Sequence, residues 1–160
     1  MIKTDPVGWA VNILIFLLLS GAAFAEDLRG IPRVVDGDTL YVVGVKVRLH
    51  GIDAFEKGQP CTINGVRQDC GRLAKAWLST TIGRKEVHCV GGIRDRYKRL
   101  IGKCYVDGMD LGEGLVAAGW ALAYRRYSAE YVDEEDSAKT DRRGAWSGVF
   151  VEPWVWRRKR

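Results

Sequence analysis

The stretch that most constrains this chain is residues 32–52, PRVVDGDTLYVVGVKVRLHGI. Two β-rich runs meet at Gly44, and in the second run Val45, Val47 and Leu49 alternate with Lys46, Arg48 and His50. A period of two is the mark of a strand with one face buried. Arg48 is therefore expected on the face opposite Val47 and Leu49. A strand pair of this kind cannot bury its apolar face alone and needs further strands or helices over it.

The rest of the chain supplies both. Residues 53–70, DAFEKGQPCTINGVRQDC, are rich in turn formers and read as a loop. Residues 69–83 read as a helix, with Leu73, Ala74, Trp77, Leu78 and Ile82 at helical spacing, Asp69 placed to cap the start and Gly83 the end. KEVHCV (85–90) and LIGKCYV (100–106) are short strands flanking the charged segment GGIRDRYKR, and Asp107-Gly108 marks a turn. Asp110 and Glu113 have capping-box spacing for a short helix stopped by Gly119, followed by a last strand in WALAY (120–124). Residues 128–146 read as a final, polar helix whose acidic run Asp133–Asp136 is expected to be a solvated face rather than a metal site. Strands segregated from helices, with few βαβ units, give the α+β class: a small barrel with helices outside.

The start of the chain reads differently. MIKTDPVGWAVNILIFLLLSGAAFA, residues 1–25, has Lys3, an apolar stretch and an A-x-A pattern ending at Ala25, the grammar of a cleaved export signal. An uncleaved anchor over residues 6–25 is the alternative, since about 20 apolar residues can span a bilayer. The expected domain is then residues 26–160, periplasmic or secreted. All four cysteines lie within it. In an exported chain an even number reads as disulfides. Three pairings are possible, and Cys61–Cys70 with Cys89–Cys104 is favoured, the first closing a short loop and the second joining neighbouring strands. No C-x-x-C pair occurs and the only histidines are His50 and His88, which argues against zinc. The formal charge of +5 suits a polyanionic partner such as nucleic acid.

Three segments carry the chemistry: VVDGDT with Asp38, VRLHGIDAFE with Arg48, Asp53 and Glu56, and RDRYKR with Arg99. The ordered set D-G-D-T, R-x-x-x-x-D-x-x-E and D-x-Y-x-R resembles the staphylococcal-nuclease-like family of thermonucleases, and closest its exported, cysteine-bearing bacterial members. The resemblance runs from VVDGDT to the closing WVWRR. It implies a five-stranded OB-fold β-barrel with about three flanking helices. It also implies a calcium-dependent, sugar-non-specific endonuclease, a phosphodiesterase acting on DNA and RNA and leaving 3′-phosphate ends, and working as a monomer without an obligate protein partner. Position by position, Asp38, Asp53 and the main-chain carbonyl of Ala54 would hold calcium. Arg48 and Arg99 would grip the scissile phosphate, and Glu56 would orient or deprotonate the attacking water.

The residue types agree with that chemistry. Guanidinium forks donate paired hydrogen bonds to phosphate oxygens, hard oxygen ligands suit calcium, and a carboxylate three residues past Asp53 can reach a water near the phosphorus. Tyr97 and Tyr124 are candidates for stacking on bases. His50, His88 and Trp77 read as structural, and the terminal RRKR as either a phosphate-tracking tail or a frayed end. Two departures from the family pattern stand out. Phe55 replaces a proline beside Glu56, and Lys98 replaces a glycine beside Arg99, a place where positive φ would resist a side chain. A non-catalytic OB-fold nucleic-acid-binding module is the alternative. Such a module is expected to lose the arginines or the glutamate, and this chain keeps Arg48, Glu56 and Arg99.

Overall fold

A computed structural model describes residues 25–159; the expected signal or anchor segment lies, apart from Ala25, outside the described residues. In chain order the strands and helices are β1 (Glu26–Gly30), β2 (Arg33–Val34), β3 (Thr39–Val42), β4 (Val45–Leu49), β5 (Ile52–Ala54), β6 (Pro60–Ile63), β7 (Val66–Asp69) and α1 (Cys70–Ile82). They continue with β8 (Val87–Arg94), β9 (Leu100–Val106), β10 (Met109–Asp110), α2 (Leu111–Ala117), β11 (Ala121–Ala123), α3 (Val132–Thr140), a 3-10 turn (Gly144–Ser147), β12 (Gly148–Phe150) and α4 (Pro153–Arg158).

The main sheet runs β1-β8-β9-β4-β3-β2, with β10 added on β9. Its neighbours are antiparallel except β4 and β9, which run parallel with Arg48 opposite Ile101. The sheet curls around a core of Leu40, Val42, Val47, Leu49, Leu100, Cys104 and Val106, which α1 and α2 cover with Ala74, Leu78, Leu111 and Leu115. The fold is thus of the expected mixed α+β, OB-like kind. Asp69 caps α1 by accepting from the Arg72 amide at 2.9 Å, and Gly83 ends it at positive φ. Asp110 caps α2 through the Gly112 and Glu113 amides.

Both favoured disulfides are present. Cys89 and Cys104 face each other directly across β8 and β9. Cys61–Cys70 ties β6 to the first residue of α1.

The structure corrects the sequence reading in four places. Residues 60–69, expected as loop, form the β6–β7 hairpin around Asn64-Gly65, both at positive φ as a tight two-residue hairpin turn requires. The helix expected over 128–146 shrinks to α3 and a 3-10 turn. Within its acidic run, Glu135 is buried: its carboxylate accepts from the Ala123 amide at 3.1 Å and pairs with Arg125 and Lys139. Finally, residues 148–158 form β12 and α4, where no element was expected. Periodicity could not find these because each is too short to show a repeat and is held by tertiary contacts.

Those late elements build a second, smaller core. Phe55, Cys61, Cys70, Leu122 and Ala145 are buried there, with Trp146, Phe150 and Trp154 packed against them. Phe55 meets Phe150 edge to face at 5.1 Å. The loop that proline would stiffen by fixing φ is here anchored by a buried aromatic ring.

Among the described residues no helix is long and apolar enough to cross a membrane.

Candidate active site

The β3–β4 register sets the site. Thr39 lies opposite Arg48, so Asp38, one residue before Thr39, is brought beside the Arg48 side chain. Arg48 Nη1 reaches Asp38 Oδ2 at 2.5 Å and Arg48 Nη2 reaches Asp53 Oδ1 at 2.9 Å. One guanidinium therefore bridges two carboxylates that are 15 residues apart in the chain. Asp38 also accepts from the Ala54 amide at 3.2 Å and from the Thr39 hydroxyl at 3.0 Å. Burial pushes the Asp38 carboxyl up, but the charge of Arg48 and the Ala54 amide outweigh it and hold the group below its ordinary value.

Asp53 sits on β5, opposite Leu122 of β11, and is 0% exposed. Burial raises its carboxyl despite two flanking guanidiniums. The second is Arg157 of α4, whose Nη1 and Nη2 meet Asp53 Oδ1 and Oδ2 at 2.9 and 2.6 Å, a fork-on-fork pair. The same Nη1 reaches Glu56 Oε1 at 2.5 Å. Hydrogen bonding to Asp53 and Glu56 raises the Arg157 guanidinium well past its ordinary value, against the opposing effect of burial.

A cavity of about 60 Å³ opens at this point, lined by Asp36, Asp38, Arg48, Ala54, Phe55, Glu56 and Arg99. Arg99 arrives from the far end of the β8–β9 hairpin and is aimed by Asp95. Its Nε and Nη2 meet Asp95 Oδ2 at 2.8 and 2.7 Å, and its amide donates to Oδ1 at 3.0 Å. Lys98, the residue before it, does take the positive φ of 63° that a glycine would favour, and Arg99 nonetheless faces the cavity. Tyr97 stands 66% exposed on the same turn, within cation–π range of Arg96 and Arg99. Tyr124 lies elsewhere, stacked on Trp154 at 5.6 Å.

The sequence-predicted residues Asp38, Arg48, Ala54, Glu56 and Arg99 thus line one cavity. Asp53 lies behind it, and neither tyrosine lines it: Tyr97 stands beside Arg99 and Tyr124 packs on Trp154. His50 uses its amide on the Gly102 carbonyl, and His88 pairs with Asp27 at 3.0 Å, away from the cavity. Reading the sequence missed three contributors. Asp36 stands in the quoted VVDGDT run; burial and the nearby charge of Asp38 raise its carboxyl. Gln59 and Arg157 carried no local signal, because their partners are set by tertiary contact.

Among the described residues no three acidic, histidine or cysteine side chains form a ready-made metal cluster. The donor chemistry still fits a hard cation. Asp36 and Asp38 put carboxylate oxygens on the cavity, the donor type such a cation takes, while Asp53 behind it is engaged by Arg48 and Arg157.

A comparison with known proteins bears on this geometry. The sequence pattern of the staphylococcal nuclease homologue family matches residues 46–148. An uncharacterized endonuclease of Escherichia coli O157:H7 is 33% identical over 156 residues, covering 92% of this chain and 96% of that protein. A micrococcal nuclease of Shigella flexneri is 33% identical over 167 residues, covering 93% and 91%. Protein ParB of Escherichia coli is 35% identical over 170 residues, covering 94% and 90%. With a sheet that brings Asp38, Arg48, Glu56 and Arg99 to one cavity and a match over most of its length, the chain belongs to the staphylococcal nuclease homologue family.

Proposed function

We propose that this chain is a nuclease that hydrolyses phosphodiester bonds of DNA and RNA with calcium and leaves 3′-phosphate ends. The observation that carries the reading is a single cavity lined by two guanidiniums, Arg48 and Arg99, and by the carboxylate of Glu56, which is paired with Arg157. Uncatalysed phosphodiester cleavage is extremely slow, so such an enzyme must stabilise its transition state near the upper end of the enzymatic range. Arg48 and Arg99 would each donate paired hydrogen bonds to the non-bridging oxygens of the scissile phosphate. Arg48 starts engaged with Asp38 and Asp53, and it would exchange those partners for the phosphate as substrate arrives. Glu56 would orient a water for in-line attack on phosphorus and take its proton. Asp38, Asp53 and the Ala54 carbonyl would hold calcium, which when bound supplies dense positive charge against the phosphate.

Tyr97, being exposed beside Arg99, would give a stacking platform for a base next to the cleaved bond; Tyr124 would give a second through its stack with Trp154. Two disulfides suit an exported domain acting outside the reducing cytoplasm. The test incubates purified protein with plasmid and with RNA, each with calcium and with chelator, beside Arg48→Ala and Glu56→Gln. Both nucleic acids should be cut only with calcium, the products should accept no further phosphate loss except at 3′ ends, and either substitution should reduce the rate at least about 100-fold. Cleavage indifferent to chelator removes the metal assignment, and unimpaired variants remove the chemistry.

A further inference from the structure

We propose that Arg157 is a positioning residue that fixes the Glu56 carboxylate by gripping it together with the fully buried carboxylate of Asp53. The role assigned to Glu56 rests on the nuclease reading above. The geometry is asymmetric. Asp53 is fully buried, and both of its carboxylate oxygens accept from Arg157. Glu56 is about a third exposed, and the ion pair with Arg157 at 2.5 Å is the side-chain bond that orients it. A planar fork seated on a buried acid thus holds a partly exposed one at a set distance. A lysine, as a point charge on a flexible stem, could satisfy Asp53 or Glu56 but would not impose that relation. Nη1 of Arg157 reaches both carboxylates and Nη2 reaches Asp53, and the double variant below separates an effect through Glu56 from one through Asp53.

The fold delivers the helix carrying Arg157 to the loop carrying Glu56 by a buried bridge. Gln59, 0% exposed, accepts from the Glu56 amide at 2.9 Å and donates to the Val151 carbonyl at 2.6 Å, two residues before α4 begins. Phe55 packs on Phe150 across the same two segments, and Tyr124, just past β11, stacks on Trp154 of α4. The contact spans 101 residues of sequence, yet both ends hang on one small core. The tail that the sequence presents as a basic end is therefore built into the site.

The experiment measures kcat and KM on a single-stranded oligonucleotide for Arg157→Ala, Arg157→Lys, Glu56→Gln and the Arg157→Ala/Glu56→Gln double variant. Arg157→Lys keeps the charge beside buried Asp53 and guards against simple misfolding of the alanine variant. Both Arg157 variants should lower kcat by about 10- to 100-fold with KM within about 3-fold, the scale expected when a reacting group is displaced by an ångström. The double variant should be no more than about 2-fold slower than Glu56→Gln alone, because residues acting through one another are not additive. Losses that multiply, an unchanged kcat, or a raised KM at constant kcat would each overturn the proposal, the last making Arg157 a phosphate contact. A second readout uses no substrate: the carboxyl carbon resonance of Glu56 should shift and broaden in Arg157→Lys. If wild-type protein cuts nothing, the nuclease reading fails, while this resonance still decides the positioning role; an unchanged signal sinks it.

Discussion

Substituting Gly71 by alanine sets two physical effects against each other at one atom. Gly71 lies in the first turn of α1, where alanine is the better helix former by about 1 kcal/mol or less. The local expectation is therefore a small gain in stability. Packing says the opposite. A Cβ at Gly71 would stand 1.9 Å from the Glu56 carbonyl oxygen, 2.5 Å from its carbon and 2.9 Å from the Lys57 nitrogen. All three are backbone atoms and cannot swing aside as a side-chain tip can. Relief demands that helix or loop retreat by roughly 1 Å, and overpacking of this sort costs about 1–3 kcal/mol. The steric effect wins, for a net loss of about 1–2 kcal/mol. Because the displaced atom belongs to Glu56, the same shift should lower cleavage by about 10- to 100-fold. Urea unfolding under non-reducing conditions reads the first effect and plasmid cleavage the second. An alanine variant as stable and as active as the wild type would show that the Glu56 loop is not wedged against α1, and the account of how that residue is placed would have to be abandoned.

Val43 and Gly44 form the two-residue turn between β3 and β4 at φ 47° and 79°, a conformation that a β-branched residue resists. Val43→Asn should therefore raise stability by about 1 kcal/mol without affecting activity, read by the same urea transition. Removing the Cys61–Cys70 disulfide by paired serine substitution opens a loop with a sequence separation of 9. It should cost about 3 kcal/mol in the chain-entropy account. Activity should fall as well, since β6 carries β12 and through it the segment that leads into α4. Burial and the charge of Asp38 raise the Asp36 carboxyl, so in the wild type the fold loses stability as pH rises through the folded pKa of that group. Asp36→Asn should then be more stable than wild type at neutral pH, with the gain vanishing below the ordinary value of 3.8. A gain that persists in acid, measured by thermal melts across pH, would contradict the assigned cause. The same variant should bind calcium more weakly in titration calorimetry.

Local physics was enough to make much of this protein legible from its sequence. The alternation of Val45, Val47 and Leu49, the caps Asp69 and Asp110, the stops Gly83 and Gly119 and the Asp107-Gly108 turn each act within a few residues of themselves. The structure has them where those short-range rules put them. The cavity-lining set Asp38, Arg48, Glu56 and Arg99 was recognisable as an ordered pattern, although no rule of local structure says that its members meet. What brings them together is strand register: Thr39 against Arg48, and β4 alongside β9.

Tertiary structure alone decided the rest. Glu135 sits in an acidic run yet is buried, because the Ala123 amide and Arg125 converge on it from another segment, joined by Lys139 one turn along its own helix. Arg157 stands in a basic tail yet closes on Asp53 and Glu56, because Gln59 and Phe55 draw the last helix onto the Glu56 loop. Sequence determines a contact when the partners lie within a turn or a hairpin of each other, since the chain itself then fixes their distance. Once a hundred residues intervene, the distance depends on every element packed between, and only the assembled core sets it.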